Sequence, residues 1–178
     1  TARARHAGAV NTLSMQSDGT ILGVTTDGAG IVRDLISNLG WQIKGKKILV
    51  LGAGGAVRGM LEPLLELLPQ HVVIANRTIE RGQELAESIS AQNIEAESFR
   101  LNDLPTRLHE FDIIVSSTAS PLPIIGLGMV ESALKLRRRK PMVMIDLAVP
   151  RDFEPEISRL NDVYLYTVDD LGTMAQTG

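Results

Sequence analysis

Cysteine is absent from the 178 residues, which excludes a disulfide framework, a zinc-thiolate site and a thiol nucleophile. Aromatic residues amount to only 3%. A base-stacking platform for single-stranded nucleic acid is thereby excluded as a main activity, and the core must be built from Leu, Ile, Val, Ala and Met. The three histidines, His6, His71 and His109, are scattered without metal-ligand spacing. Neither sign of charge dominates: 18 Lys and Arg face 21 Asp and Glu, a net charge of −3. The whole chain therefore has no electrostatic footprint for nucleic acid, and no nucleic-acid partner is expected. No apolar run approaches the ~20 residues needed to cross a bilayer, and no signal peptide is expected before the first motif. No membrane partner is expected, and the missing cysteine fits a cytoplasmic location. The first residue is Thr1 rather than Met, so we expect a piece of a longer chain.

What remains is an ordinary globular balance, 44% hydrophobic and 22% charged, in a length sufficient for one domain and a little more. From Lys46 onward, six short β-branched runs recur: "KILVLG", "HVVIAN", "IEAESF", "FDIIVSS", "PMVMIDLAV" and "VYLYTV". Each is apolar over a few residues and bounded by Gly, Pro, Asn or Asp, the pattern of a buried strand. Helical stretches separate most of them. "GAVRGMLEPLLELL" carries an apolar stripe that Pro63 should kink. "TIERGQELAESIS" starts at Thr78 as a cap, and "GMVESALKLRRR" keeps Met129, Ala133 and Leu136 on one side. Only a short or irregular helix fits "RLNDLPTRLHE". Strands alternating with helices imply right-handed crossovers and a parallel sheet. The predicted fold is α/β, a doubly wound six-stranded Rossmann sheet in the order 3-2-1-4-5-6. Before it, "AVNTLSMQ" and "TILGVTT" form a β-hairpin about Asp18-Gly19. "DGAGIVRDLISNLG" then forms a helix capped by Asp27 and stopped by Gly40. The seam places the hairpin in residues 1–26 and the Rossmann domain in 27–178.

The turn "VLGAGGAVRGM" is where chemistry enters. A pyrophosphate at a helix N-terminus needs unobstructed backbone N–H groups. Gly52 and Ala53 make the tight turn, Gly54 allows close approach, and Gly55 and Ala56 open the helix. The usual third glycine position holds Val57, with Gly59 nearby. Because the pattern follows a strand and opens a helix, dinucleotide binding is favoured over a purely structural turn. The end of the second strand selects the dinucleotide. An acidic residue there would accept from a ribose 2′-hydroxyl and repel a 2′-phosphate. This sequence has Asn76-Arg77-Thr78, with Arg81 one turn on. Arg77 offers a planar fork to a phosphate, and Asn76 and Thr78 can donate to it. Basic side chains at a helix start oppose the helix dipole, which favours an anionic ligand over mere solvated charges. The predicted cofactor is NADP(H).

Two families are similar to different parts of the chain. "AGAVNTL", "TTDGAGIVRDL", "GKKILVLGAGGAVRG" and "ANRT" resemble shikimate dehydrogenase over about residues 1–90. "FDIIVSSTASPLPIIGLGMVESALK", "PMVMIDLAVPRDFEPEI" and "VYLYTVDDL" resemble the NADPH-binding domain of glutamyl-tRNA reductase over about 108–171. Together they imply a chimera whose crossover lies within about 78–107. In the first family a lysine and an aspartate manage the proton during hydride transfer. The resemblance maps the aspartate to Asp27 and a substrate-binding asparagine to Asn11, with Thr25 standing where that family usually has Asn. The lysine belongs to an upstream domain that this sequence does not contain, so Asp27 would be inherited but idle, and could serve only as a helix cap. The second family's nucleophilic cysteine is absent as well. Since proton transfer and substrate positioning each contribute large rate factors, little turnover of either parent substrate is expected.

Other residues keep two readings. Ser116 and the following Ser117-Thr118-Ala119 end the fourth strand, where they could contact the nicotinamide-side ribose, as the reductase resemblance favours, or only cap a turn. Asp146 could act at the fifth strand's end or merely shape its turn. "KLRRRK" (Lys135 to Lys140) suggests tRNA contact, but positive charge at a helix C-terminus is favoured anyway and reads as a solvated end. The hairpin at residues 9–25 would leave an apolar face open, so a homodimer through the N-terminal region is expected. Two other functional readings stay open. One is an NADP-dependent shikimate dehydrogenase-type enzyme using Asp27 and Asn11 with a partner chain. The other is a folded recombinant that binds no cofactor.

Overall fold

The computed structural model describes residues 44–66, 69–118 and 120–167. The expected hairpin and its dimer edge, the first helix, Asn11, Asp27 and Ala119 lie outside the described residues. Six strands form one sheet: β1 (Lys47–Leu51), β2 (His71–Asn76), β3 (Ala96–Arg100), β4 (Ile113–Ser116), β5 (Met142–Asp146) and β6 (Val163–Thr167). All pairings are parallel and the order is β3-β2-β1-β4-β5-β6, as the strand–helix alternation predicts. Three helices supply the main crossovers: α1 (Gly55–Leu65), α2 (Ile79–Ser90) and α3 (Leu127–Leu136). Between β3 and β4 the chain makes only short helical turns, Leu101–Asp103, Leu104–Arg107 and Leu108–Glu110.

The strands are apolar without alternation because both faces of the sheet are covered. Ile48, Val50, Val72, Ile74, Ile113, Val115, Val143 and Ile145 pack under α1 and α2 against Val57, Leu61, Leu64, Leu85 and Ile89. Their neighbours Leu49, Leu51, Val73, Ala75, Ile114, Met142 and Met144 face the other layer, against Leu104, Leu108, Phe111, Val130, Leu134 and Phe153. Aliphatic side chains thus fill most of the interior, with three phenylalanines in the second layer, Phe99 among them. Gly82 of α2 lets that helix approach the sheet: a Cβ there would touch Asn76 and Ser98 at 3.5 Å.

Two expectations about α3 are corrected. Its buried stripe is Val130, Ala133 and Leu134, the spacing of one helical face, and Leu136 falls off that stripe at 66% exposed. The basic run that follows is not simply a solvated end. Arg137 has a side chain only 5% exposed, and it ties together the N-terminal edge of the sheet. Its Nη1 donates to the carbonyls of His109 (3.1 Å) and Phe111 (2.7 Å), its Nη2 to Asp112 Oδ1 (3.0 Å) and the Pro141 carbonyl (2.8 Å), and its Nε to the Lys140 carbonyl (3.0 Å). Arg138 and Arg139 then turn the chain with φ of 56° and 64°, and only they and Lys135 and Lys140 carry exposed charge.

Candidate functional site

At the opposite, C-terminal edge, the chain leaves β1 and must reach α1 in three residues. Gly52 makes this possible with φ of +99°, a conformation costly for any residue with a Cβ. Its N–H donates to the Ala75 carbonyl at 3.0 Å, which ties the turn to β2. The next strand over is equally close: a Cβ on Gly52 would overlap the Ser117 carbonyl oxygen. Gly54 occupies the N-cap position of α1 with extended backbone and no side chain in the way, and Gly55 and Ala56 are the first residues of the helix. Their amides are thus presented at the positive end of the helix dipole.

These residues form one wall of a cleft of about 260 Å³ at the point where strand order reverses. Gly52, Ala53 and Gly54 line it from β1, Ala75, Asn76 and Arg77 from β2, Arg81 from α2, and Ser117, Thr118 and Ser120 from the segment after β4. Leu101, just past β3, completes the lining. None of these lining residues is acidic. The cleft therefore brings together Gly52, Ala53, Gly54, Asn76, Arg77, Arg81, Ser117 and Thr118 of the residues singled out in the sequence. Thr78 is exposed and does not line the cleft. It takes the N-cap position of α2 but makes no cap bond with its side chain. Asn76 Nδ2 donates to the Thr78 carbonyl at 2.9 Å, which fixes the turn into α2 but satisfies none of the free N–H groups at its start.

Arg77 reaches across the cleft. Its Nη2 donates to Ser120 Oγ at 3.2 Å, joining the end of β2 to the segment after β4. That segment is itself held from beneath. Asp152, fully buried, accepts from Ser116 Oγ (2.6 Å), from the Thr118 N–H (2.9 Å) and from Thr118 Oγ1 (2.6 Å). Ser116 is consequently turned into the interior, and among the described residues of that run Ser117 and Thr118 face the cleft. The backbone N–H of Asp152 in turn donates to Asp146 Oδ2 at 2.9 Å. Ser120, Asp152 and Leu101 were not singled out in the sequence, although the first two lie within the reductase-like stretches. They are found only once folding brings residues 101, 120 and 152 beside the turn.

Asp146 shapes a loop rather than the cleft. Its carboxylate accepts from the N–H groups of Ala148 (3.0 Å), Asp152 (2.9 Å) and Phe153 (3.0 Å). Burial pushes this carboxyl from an ordinary 3.8 up to about 6, and the nearby Asp152 charge adds to the rise, against the three N–H bonds that hold it down. A folded-state value above the unfolded one means that the native state binds the proton more tightly. The contribution of this group to stability therefore grows as pH falls through about 6 and saturates near 4. The stability of the wild type relative to Asp146→Asn, which cannot titrate, is expected to rise between about pH 7 and about pH 4.5. Urea denaturation of both proteins at the two values measures this. A difference that stays constant would show that Asp146 does not titrate in that window.

Among the described residues, no helix is long and apolar enough to cross a membrane and no cluster of His, Cys, Asp or Glu could hold a metal ion.

The architecture is shared with solved proteins. Glutamyl-tRNA reductase from Methanopyrus kandleri is 33% identical with a TM-score of 0.76, and the similarity covers 84% of this chain and 36% of that one. A shikimate dehydrogenase in complex with NADP+ is 24% identical with a TM-score of 0.56, over 82% of this chain and 51% of that one. Shikimate 5-dehydrogenase from Listeria monocytogenes, in complex with shikimate and NAD, is 20% identical with a TM-score of 0.61, over 83% and 53%. The chain thus spans between about a third and about half the length of these proteins. The sequence model of the shikimate / quinate 5-dehydrogenase family matches residues 34–174. That stretch runs without a break through 78–107, takes in every described strand and reaches both sides of the cleft. With the sheet order, the glycine turn and the matched stretch in agreement, the chain belongs to the shikimate / quinate 5-dehydrogenase family.

Proposed function

We propose that this chain is an NADP(H)-binding Rossmann domain of an oxidoreductase. The observation that carries the reading is Arg77, which stands at the mouth of a cleft walled by the glycine turn and free of acidic lining residues. The turn amides and the dipole of α1 suit a pyrophosphate. Arg77, with Arg81 beside it, suits a ribose 2′-phosphate, which a carboxylate at the same place would repel. Ser117 and Thr118, which line the cleft, would face the nicotinamide-side ribose. When bound, the dinucleotide would supply hydride chemistry. The residues of this chain would bind and orient it and hold its charged groups out of water.

The two sets of motifs, one similar to shikimate dehydrogenase and the other to glutamyl-tRNA reductase, support a recombined origin with the crossover in 78–107. Asp27 and Asn11 would be inherited from the first parent. The motif of a catalytic lysine is not found in the sequence, so we expect binding of the dinucleotide without appreciable oxidation of shikimate.

Fluorescence titration with NADPH and NADH tests the cofactor reading. Arg77→Ala is expected to weaken NADPH by between about tenfold and about a hundredfold, the worth of charge-assisted hydrogen bonds to one phosphate, and NADH by little. Equal losses would show that Arg77 does not touch the 2′-phosphate. In the same preparation, a turnover of shikimate with NADP+ matching that of a full-length dehydrogenase would overturn the inactive reading.

A further inference from the structure

We infer that Asp152, which does not line the cleft, is a positioning residue that sets the preference for a 2′-phosphorylated dinucleotide; this rests on the NADP(H) reading above. The geometry is a relay of donors that all point one way. Arg77 Nη2 donates to Ser120 Oγ (3.2 Å), the Ser120 N–H to Thr118 Oγ1 (3.3 Å), and Thr118 Oγ1 to Asp152 Oδ1 (2.6 Å). The last link runs from the Asp152 N–H to Asp146 Oδ2 (2.9 Å). The Ser120 hydroxyl hydrogen is engaged elsewhere, on the Leu122 carbonyl at 2.6 Å. Its oxygen is thereby left as a pure acceptor toward the guanidinium. The Thr118 hydroxyl hydrogen goes to Asp152, so its oxygen likewise is free to accept from Ser120.

This arrangement matters because an exposed arginine is conformationally expensive to fix. Arg77 is exposed, and a phosphate that must order the whole side chain gives up part of the attraction to entropy. Here one of the five guanidinium N–H groups is already held by Ser120, and the remaining donors keep the planar fork that suits a phosphate. Asp152 is the root of that restraint. It is fully buried, and both of its carboxylate oxygens are committed to the segment after β4. Removing its charge acts on Arg77 through two intervening residues, Thr118 and Ser120.

The test is a titration of NADPH and NADH into the wild type, Asp152→Asn, Ser120→Ala, and each of these combined with Arg77→Ala. An asparagine cannot accept on both of its terminal atoms, so it cannot satisfy Ser116, the Thr118 N–H and the Thr118 hydroxyl at once. The ratio of NADPH to NADH affinity is expected to fall about fivefold in Asp152→Asn, the scale of one lost hydrogen bond transmitted to the arginine. In the Arg77→Ala background the same change should leave the ratio unmoved. Ser120→Ala removes the acceptor of Arg77, together with the hydroxyl's bonds to Leu122, and should reproduce the fall, which keeps the test available should Asp152→Asn fold poorly. Equal losses of both dinucleotides, or a ratio that shifts as much without Arg77, would reduce Asp152 to a purely structural residue and overturn the inference. A wild type that binds NADH but shows no preference for NADPH, or binds neither, would instead overturn the cofactor reading on which it rests.

Discussion

Gly52→Ala is expected to lower stability by about 3 kcal/mol and to weaken NADPH binding more than tenfold. Two independent costs combine. A backbone with φ of +99° is one that residues with a side chain rarely adopt, which costs on the order of 1–3 kcal/mol. The new methyl would also overlap the Ser117 carbonyl oxygen, a backbone atom that cannot rotate away. Ser117 is held there by its N–H bond to the Leu51 carbonyl at 2.9 Å, so relief requires β1 and β4 to part at their ends. That movement displaces the amides of 52–54 and the segment carrying Ser117 and Thr118 together, hence the joint loss of stability and affinity. For a domain of this size the melting temperature should fall by about 10 °C. A fall of less than about 2 °C would mean that the turn relaxes at little cost, and the close approach would then not be a constraint.

A comparable loss is expected at the other end of the sheet, from Arg137→Ala. Asp112 lies at the start of β4. Burial alone would raise its carboxyl, but the Arg137 hydrogen bond, the Lys47 N–H and the charges of Arg137 and Lys140 outweigh it and hold it below the usual range. Alanine leaves that carboxylate with Lys140 at 3.8 Å as its remaining nearby cation. It also strips donors from the carbonyls of His109, Phe111, Lys140 and Pro141. Breaking a buried pair by removing one partner costs about 3–5 kcal/mol. Arg137→Lys keeps the charge but not the planar fork, and should recover less than half of the loss. Dinucleotide affinity of the folded fraction should stay at the wild-type level, because no part of Arg137 lines the cleft. Urea denaturation combined with titration below the transition checks both statements. A destabilisation under about 1 kcal/mol would show that the guanidinium is replaceable by water.

The contrast between these two arginine-bearing segments explains what could be read in advance. The sheet order followed from strand–helix alternation, and the glycine turn and Asn76-Arg77 were legible because a ligand-facing turn and a strand end are short, contiguous pieces of chain. Arg137 was misread because its partners, Asp112 and four carbonyls, are set by where β4 and β5 begin, and a basic run looks the same whether its first member points in or out. Leu136 failed for a related reason: the sequence put it on one side with Met129 and Ala133, while the packing of α3 follows Val130, Ala133 and Leu134. Asp152 and Ser120 sit inside family-like stretches but were not singled out, since neither an aspartate two residues after Pro150 nor a serine before Pro121 shows in sequence what it will touch. Their roles arise from proximity across 34 residues or more of chain. Thr78 shows the reverse error, a suitable residue at the N-cap position of α2 whose side chain makes no cap bond.

The loop between β5 and β6 reaches back further than its position suggests. Glu154 Oε1 accepts from the Leu127 N–H at 2.8 Å and so closes the N-terminus of α3 from 27 residues downstream, while the Asp152 carbonyl accepts from Ile124 and Ile125. A chain emerging from the ribosome can therefore complete β1, α1 and β2 early, but α3 stays uncapped and the hydroxyls of Ser116 and Thr118 lack their carboxylate until residue 154 has been made. The glycine side of the cleft can thus form before its opposite wall, which waits for residues 152 and 154.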